Sequence, residues 1–278
     1  MEHRGGQGRF SWCGRPPGAI IRCVNLILLA GEDLLPDGTA RLQGRRARHI
    51  AEVHRAVPGD ELMVGRIGGR MGRGHVVRAS SDEVVLEVRL DQDPPAPPGI
   101  DLALAMPRPK VLRRLLRAVA SLGVKRLVLL NSYRVEKSYF DSPLLAADAV
   151  REELLLGLEQ ARDTILPDVQ VRQRFKPFVE DELGALWGAK TSKLLAHPTA
   201  PATLDRCRTG GEGEPAVIAI GPEGGWIPYE VQMLEDRGFE GFSLGPRILR
   251  VDTAVPFVLG ELALARRLHG RQELVSRP

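Results

Sequence analysis

Two short stretches carry residue types that could do chemistry together. AVIAIGPEGGWIPYE, residues 216–230, runs from an apolar segment into Gly-Pro-Glu-Gly-Gly-Trp, and FSLGPRILRVDTA, residues 242–254, leaves a second such segment through Gly-Pro and continues with two arginines. Gly221, Gly224 and Gly225 lack a Cβ, so amides and carbonyls there can come close to a flat ligand such as adenine and take up positive φ. Standing alone, the loop also reads as a tight strand-to-helix connection, and Trp226 either flanks a pocket or covers the core. In the second loop, Arg247 and Arg250 present fixed forks of donors that stay ionised, which suits phosphate or negative charge developing on a substrate. One arginine at a helix start could be a surface ion pair; two in a loop parallel to the first make that less economical.

Such loops need strand ends to hold them. Apolar segments at 101–106, 126–131, 168–174, 193–197, 216–220 and 241–244 alternate with helical patterns at 109–122, 143–162, 178–187, 228–237 and 252–268. That alternation predicts an α/β fold with a mostly parallel sheet, and its ligand should lie beyond the carboxyl ends of the strands. Ser142 before Pro143, Pro228, and Asp252 or Thr253 are the expected helix starts. Upstream, the proline-rich seam DQDPPAPPG at 91–99 stops any regular element. The runs NLILL, ELMVGRI, GHVVRAS and EVVLEVRL before it are broken at turn-like intervals, which argues for a small β-rich unit with one helix near Arg45–Ala56. The expected organisation is a disordered extension over 1–20, a β-rich domain over 21–92, a linker over 93–99 and the α/β domain over 100–278.

Composition narrows the classes further. At 278 residues with 43% hydrophobic and 27% charged residues, the chain reads as an ordinary globular protein without a membrane span, and a cytoplasmic location is the default. Cys13, Cys23 and Cys207 have neither a paired framework nor metal-ligand spacing, and His49, His54 and His75 show no metal-like partner spacing, so no metal is expected. No Gly-x-Gly-x-x-Gly opens a helix and there is no P-loop, which disfavours dinucleotide and P-loop chemistry. From Pro107 to Val135 there are eight basic residues, among them Arg108, Lys110, Arg113 and Arg117, and no acid. Such a block suits RNA through counterion release, or is a solvated helix face. Arg41, Arg45, Arg46, Arg48 and Arg55, opposed only by Glu52, mark a second candidate RNA-facing edge, giving affinity and orientation rather than sequence choice.

With both loops in hand, IGPEGGWIPYE and LGPRILRVDTA together resemble the paired C-terminal motifs of the 16S ribosomal RNA uracil-N3 methyltransferase family, of the SPOUT class of S-adenosylmethionine-dependent RNA methyltransferases. HIAEVHRAVPGDEL (49–62), SLGV (121–124), LEQARDTILPDV (158–169) and His197-Pro198 extend the resemblance through most of the chain. It implies a PUA-like β-barrel followed by a SPOUT domain with a C-terminal trefoil knot, a homodimer, and the small ribosomal subunit as partner. It also implies a pocket for S-adenosylmethionine formed by His197, Ile220, Gly221, Gly225, Leu244, Gly245, Ile248 and Leu249. For methylation at uracil N3, Arg247 or Arg250 would stabilise charge on the deprotonated base, and Glu223 or Asp252 would take the proton or order the loops. Where the family usually has Glu-Thr-Ala, this chain has Asp252-Thr253-Ala254. A chain that keeps the fold but only binds RNA, as an assembly factor, or a paralogue acting on another uridine, are the alternatives.

Overall fold

The computed structural model describes residues 25–211 and 213–275, with side chains described as far as Leu268. The extension read at residues 1–20 lies outside the described residues. Strands β1 (Ile27–Leu29), β2 (Thr39–Gln43), β3 (Glu61–Arg66), β4 (Met71–Ala79) and β5 (Glu83–Gln92) form a curled five-stranded sheet in the order β1-β3-β4-β5-β2. Helix α1 (Arg45–Glu52) lies against β2 and β5. Strand β2 is absent from the sequence reading because TARLQ has only two apolar residues; both, Ala40 and Leu42, point inward and are fully buried.

Beyond the prolines, β6 (Ile100–Ala105), β7 (Arg126–Leu130), β8 (Asp168–Arg172), β9 (Ser192–Ala196), β10 (Ala216–Ile220) and β11 (Glu240–Phe242) form a six-stranded sheet in the order β11-β9-β10-β6-β7-β8. Every pairing in it is parallel. Strand β10, between β9 and β6, is buried along its whole length, which is why AVIAI is a continuous apolar run rather than an alternating one. Helices α2 (Pro109–Ser121), α3 (Ala147–Ala161), α4 (Phe175–Pro177), α5 (Leu183–Leu186), α6 (Pro228–Glu235) and α7 (Val251–Val275) connect and cover the strands, with a π-turn at Phe178–Glu182 joining α4 to α5. Among the described residues no helix is long and apolar enough to cross a membrane.

Two helix starts differ from expectation. The Ser142 hydroxyl accepts the Leu144 N–H at 3.3 Å, but it caps a 3-10 turn at Pro143–Leu145; Ala146 is extended and α3 starts one residue later. At α7, the Arg250 carbonyl accepts the Thr253 and Ala254 N–H groups. Arg250 therefore stands at the N-cap, and Asp252 and Thr253 lie inside the first turn.

Strand β1 joins the two lobes. Ile27 and Leu29 belong to the core of the curled sheet, whereas Leu26 and Leu28 belong to the larger core. The Leu26 N–H donates to the Glu159 carbonyl at 2.9 Å, the Gly68 N–H to the Thr164 carbonyl at 2.8 Å, and the Thr164 hydroxyl to the Gly69 carbonyl at 2.5 Å. In the larger lobe, α2 and α3 pack at Gly157, where an added Cβ would lie 2.4 Å from the Arg117 carbonyl oxygen and 2.8 Å from Ala120 Cβ. The buried Glu153 of α3 is clamped from α2 by Arg117 and, at 3.6 Å, by Arg113. Gly157→Ala forces the basic helix off its support; thermal or urea unfolding should show a loss of about 1–3 kcal/mol, as overpacking at a tight contact does.

Candidate active site

Strand register creates the site. Ile220 of β10 stands opposite Ala196 of β9 and Leu104 of β6, and Ala196 in turn stands opposite Phe242 of β11. The chain leaves β9, β10 and β11 at one level, so the segments starting at His197, Gly221 and Ser243 converge beyond the carboxyl edge. Hydrogen bonds prolong this alignment past the sheet: the His197 N–H donates to the Phe242 carbonyl at 2.9 Å and the Ser243 N–H to the Ala202 carbonyl at 2.9 Å.

The three segments enclose a cavity of ≈ 210 Å³. His197 reaches it from the first segment; Ile220, Gly221, Glu223 and Gly225 from the second; Leu244, Gly245, Arg247, Ile248 and Leu249 from the third. All eight residues assigned by resemblance to a cofactor pocket thus share one cavity, together with Glu223 and Arg247. Arg250 and Asp252 do not line it. The Asp252 carboxylate receives Arg114 Nη2 at 2.7 Å, which ties the first turn of α7 to the basic helix α2. Among the described residues neither Arg247 nor Arg250 makes an ion pair, and Ile248 is 85% exposed at the rim.

The glycines serve different ends. Gly225 has φ +74° and Gly245 φ +95°, the left-handed region that strains other residues. Gly221 is closely packed instead: a Cβ there would lie 3.1 Å from Cδ1 and Nε1 of Trp226, so the indole would have to give way. The indole lies on the side of Gly221 where a Cβ would stand. Trp226 is 4% exposed, belongs to the larger core and also lines the cavity, so both readings of it hold. Its Nε1–H is buried without an acceptor among the described residues, a donor that a bound ligand can satisfy.

Glu230 and Arg134 were not singled out by the sequence reading. Glu230 is 3% exposed; its carboxylate accepts the Tyr133 N–H at 2.8 Å, the Ile227 N–H at 3.0 Å and the Ser132 hydroxyl at 3.4 Å. It ties the segment after β7 to the start of α6. The signal was present, since an acid two residues after the N1 proline is placed to reach back to the N-cap amide. Arg134, one member of the basic block, donates to the Gly224 carbonyl, and only the fold brings it there.

The candidate RNA-facing residues divide by partner. Arg46 grips the buried Asp33 with two bonds of 2.6 and 2.7 Å, which raises the guanidinium above its ordinary value. Arg45 meets Glu152 at 3.2 Å, and Arg113 and Arg117 hold Glu153. Arg48, Arg55, Arg108 and Lys110 make no ion pair among the described residues. Arg55 has φ +48° just beyond α1, in the left-handed conformation that commonly ends helices. Among the described residues no cluster of His, Cys, Asp and Glu could hold a metal ion. Burial, with Glu240 nearby, pushes the Cys207 thiol up to about 11.

The chain matches the RNA methyltransferase domain family over residues 94–263. It is 32% identical over 234 residues to ribosomal RNA small subunit methyltransferase E of Treponema pallidum, covering 83% of this chain and 87% of that protein. With the protein of the same name from Synechocystis it is 26% identical over 238 residues, covering 85% and 76%. Among solved structures, it is similar to ribosomal RNA small subunit methyltransferase E from Neisseria gonorrhoeae bound to S-adenosyl methionine, with a TM-score of 0.70, 20% identity and coverage of 86% of this chain and 97% of that one. At that identity the likeness is one of fold, and the fold is the one the resemblance implied: a SPOUT-type α/β domain preceded by a barrel-like β lobe.

Replacing Glu230 with Ala takes the acceptor from the part-buried Tyr133 and Ile227 N–H groups and from the buried Ser132 hydroxyl. Stability should fall by about 1–3 kcal/mol for the unsatisfied donors. Hydrogen exchange should speed up at those two amides before the sheet is affected; unchanged protection there would show that the carboxylate does not anchor the segments.

Proposed function

The chain belongs to the RNA methyltransferase family, and from that premise we propose that it transfers a methyl group from S-adenosylmethionine to N3 of a uridine in 16S rRNA of the small ribosomal subunit. The observation that carries this reading is the convergence of three strand-end segments on one cavity that joins backbone-rich glycine loops to an arginine with no ion pair among the described residues. The cavity fits the cofactor on its own chemistry. Leu244, Leu249 and Ile220 offer an apolar bed, the glycine loops offer close backbone groups, and the orphaned Trp226 Nε1–H offers a donor. Bound S-adenosylmethionine supplies an electrophilic methyl on a sulfonium.

The remaining work falls to this chain's residues. A neutral uracil has its N3 lone pair tied up in the imide, so the N3 proton must leave before or during attack, and negative charge then spreads onto O2 and O4. Arg247, which lines the cavity and makes no ion pair among the described residues, meets that charge. Arg250, outside the lining at the N-cap of α7, binds an RNA phosphate. Glu223, on the opposite loop and also lining the cavity, accepts the proton. Asp252, engaged by Arg114, sets the first turn of α7 rather than exchanging protons. The base reaches the cavity by leaving its stack. Arg48, Arg55, Arg108 and Lys110, without carboxylate partners among the described residues, take up the RNA backbone. The exposed Phe257, Leu264 and Leu268 of α7 pair with a second copy in a homodimer. The setting is the cytoplasm, where ribosomal subunits are assembled.

Incubating the protein with labelled cofactor and undermethylated small subunits, then mapping the product by mass spectrometry, should place one methyl on N3 of a 16S uridine. Absence of transfer in every assembly state would overturn the reading. Arg247→Ala should lower kcat by roughly 10²-fold, the typical loss of one charge-stabilising donor, with cofactor affinity by calorimetry little changed. Arg250→Ala should instead raise KM for the subunit and flatten its salt dependence.

A further inference from the structure

The chain has three tyrosines, and all of them sit on the two segments that Glu230 ties together. Tyr133 and Tyr139 follow β7, and Tyr229 lies in the first turn of α6. Tyr133 is 80% exposed and Tyr229 54%, although large aromatic rings usually contribute by being buried. Their backbones are nonetheless fixed. One Glu230 oxygen accepts the Tyr133 N–H at 2.8 Å, while the other accepts the Ile227 N–H at 3.0 Å and so sets the turn that carries Tyr229. The Asn131 side chain adds a bond to the Ser132 N–H at 3.0 Å and one to the Gln173 carbonyl at 3.0 Å. Two exposed rings on anchored backbone lose little freedom on binding a flat partner.

Their surroundings select the partner. Arg134, next to Tyr133, donates to the Gly224 carbonyl, which brings this segment against the glycine loop of the active site. The rest of its guanidinium fork stays available for a phosphate. Lys137 is exposed on the same segment, and Arg108 acts electrostatically on Tyr139. Exposed aromatic rings interleaved with cations are how proteins hold single-stranded nucleic acid, because every base has a π-face to stack and every phosphate a charge to pair.

We propose that Tyr133 and Tyr229 form a stacking platform for unpaired RNA bases beside the target uridine, with Arg134 on the intervening phosphate. The platform holds the strand open next to the cavity, so that the target base is the one presented to the methyl group. This rests on the RNA methylation argued above.

The test uses the full-length protein and the variants Tyr133→Ala, Tyr229→Ala, Tyr133→Phe and Tyr229→Phe. Three quantities are measured: methylation kinetics on undermethylated small subunits, affinity for a uridine-rich single-stranded oligonucleotide, and cofactor affinity by calorimetry. Each Ala variant should raise KM for the subunit and weaken oligonucleotide binding by roughly tenfold or more, the usual effect of losing one base–aromatic stack. Cofactor affinity and melting temperature should stay as in the parent, since both side chains are exposed. Each Phe variant should keep KM within about twofold, because the ring and not the hydroxyl stacks. Ala variants with parental KM and RNA affinity would overturn the platform, as would a shift in oligomeric state with RNA affinity intact. Should the parent protein transfer no methyl to any RNA, the enzymatic reading fails, and the oligonucleotide measurements alone decide for or against the platform.

Discussion

The alignment of three strand ends is the constraint on which the site depends. Because Ala196, Ile220 and Phe242 are in register across β9, β10 and β11, three segments distant in sequence start from one line at the edge of the sheet. A shift of one residue in β10 would exchange the side chains between its two buried faces. It would also move the glycine loop by about 3.3 Å relative to the arginine loop, whose residues line the same cavity. Burial of β10 from Ala216 to Ile220 on both faces enforces that register, since any slip draws the following glycines or the preceding Pro215 into the apolar core.

Two electrostatic links then fasten the loops to the rest of the lobe. Glu230 joins the segment after β7 to the start of α6, and the Arg114–Asp252 pair joins α2 to the start of α7. They differ in kind. The Glu230 carboxylate is buried and accepts three donors, so removing it leaves unsatisfied groups inside the protein. The Arg114–Asp252 pair is largely exposed on the arginine side and contributes little stability, as surface ion pairs do. Its value lies in geometry: Asp252 follows Arg250 by two residues, so holding it fixes how the N-cap is presented.

The parallel sheet was legible because its strands are buried on both faces and read as unbroken apolar runs. NLILL was legible for a related reason, since β1 gives alternate side chains to two cores. What escaped was short or depended on distant partners. Strand β2 shows only Ala40 and Leu42, too brief an alternation to stand out, and it is defined by its pairing with β5. The start of α3 was misplaced because a Ser-Pro pair opens a 3-10 turn as readily as a helix. The threading of the C-terminal chain was implied by the resemblance and by no periodicity, because knots lie outside the ordinary connection rules. In the site, residue types marked the two loops, but Glu230 and Arg134 act through partners about a hundred positions away. No local pattern encodes such contacts.

Charge along the basic stretch illustrates the same limit in energetic terms. Counted in sequence, its eight cations look like one RNA-binding block. Folded, Arg113 and Arg117 hold a buried carboxylate, Arg114 holds Asp252, Lys125 and Arg126 meet Asp163 and Asp101, and Arg134 touches the glycine loop. Glu153 is buried at 5% exposure, and a carboxylate there is costly without such partners to offset its lost hydration. The cations that support α3 and the loops are thus partly committed before RNA arrives, and a buried acid supplied from another helix is what converts a basic stripe into scaffold. The side chains left over, Arg108 and Lys110 at the start of α2, sit at the end of that helix nearest the carboxyl edge of β6, where the strand-end segments also lie.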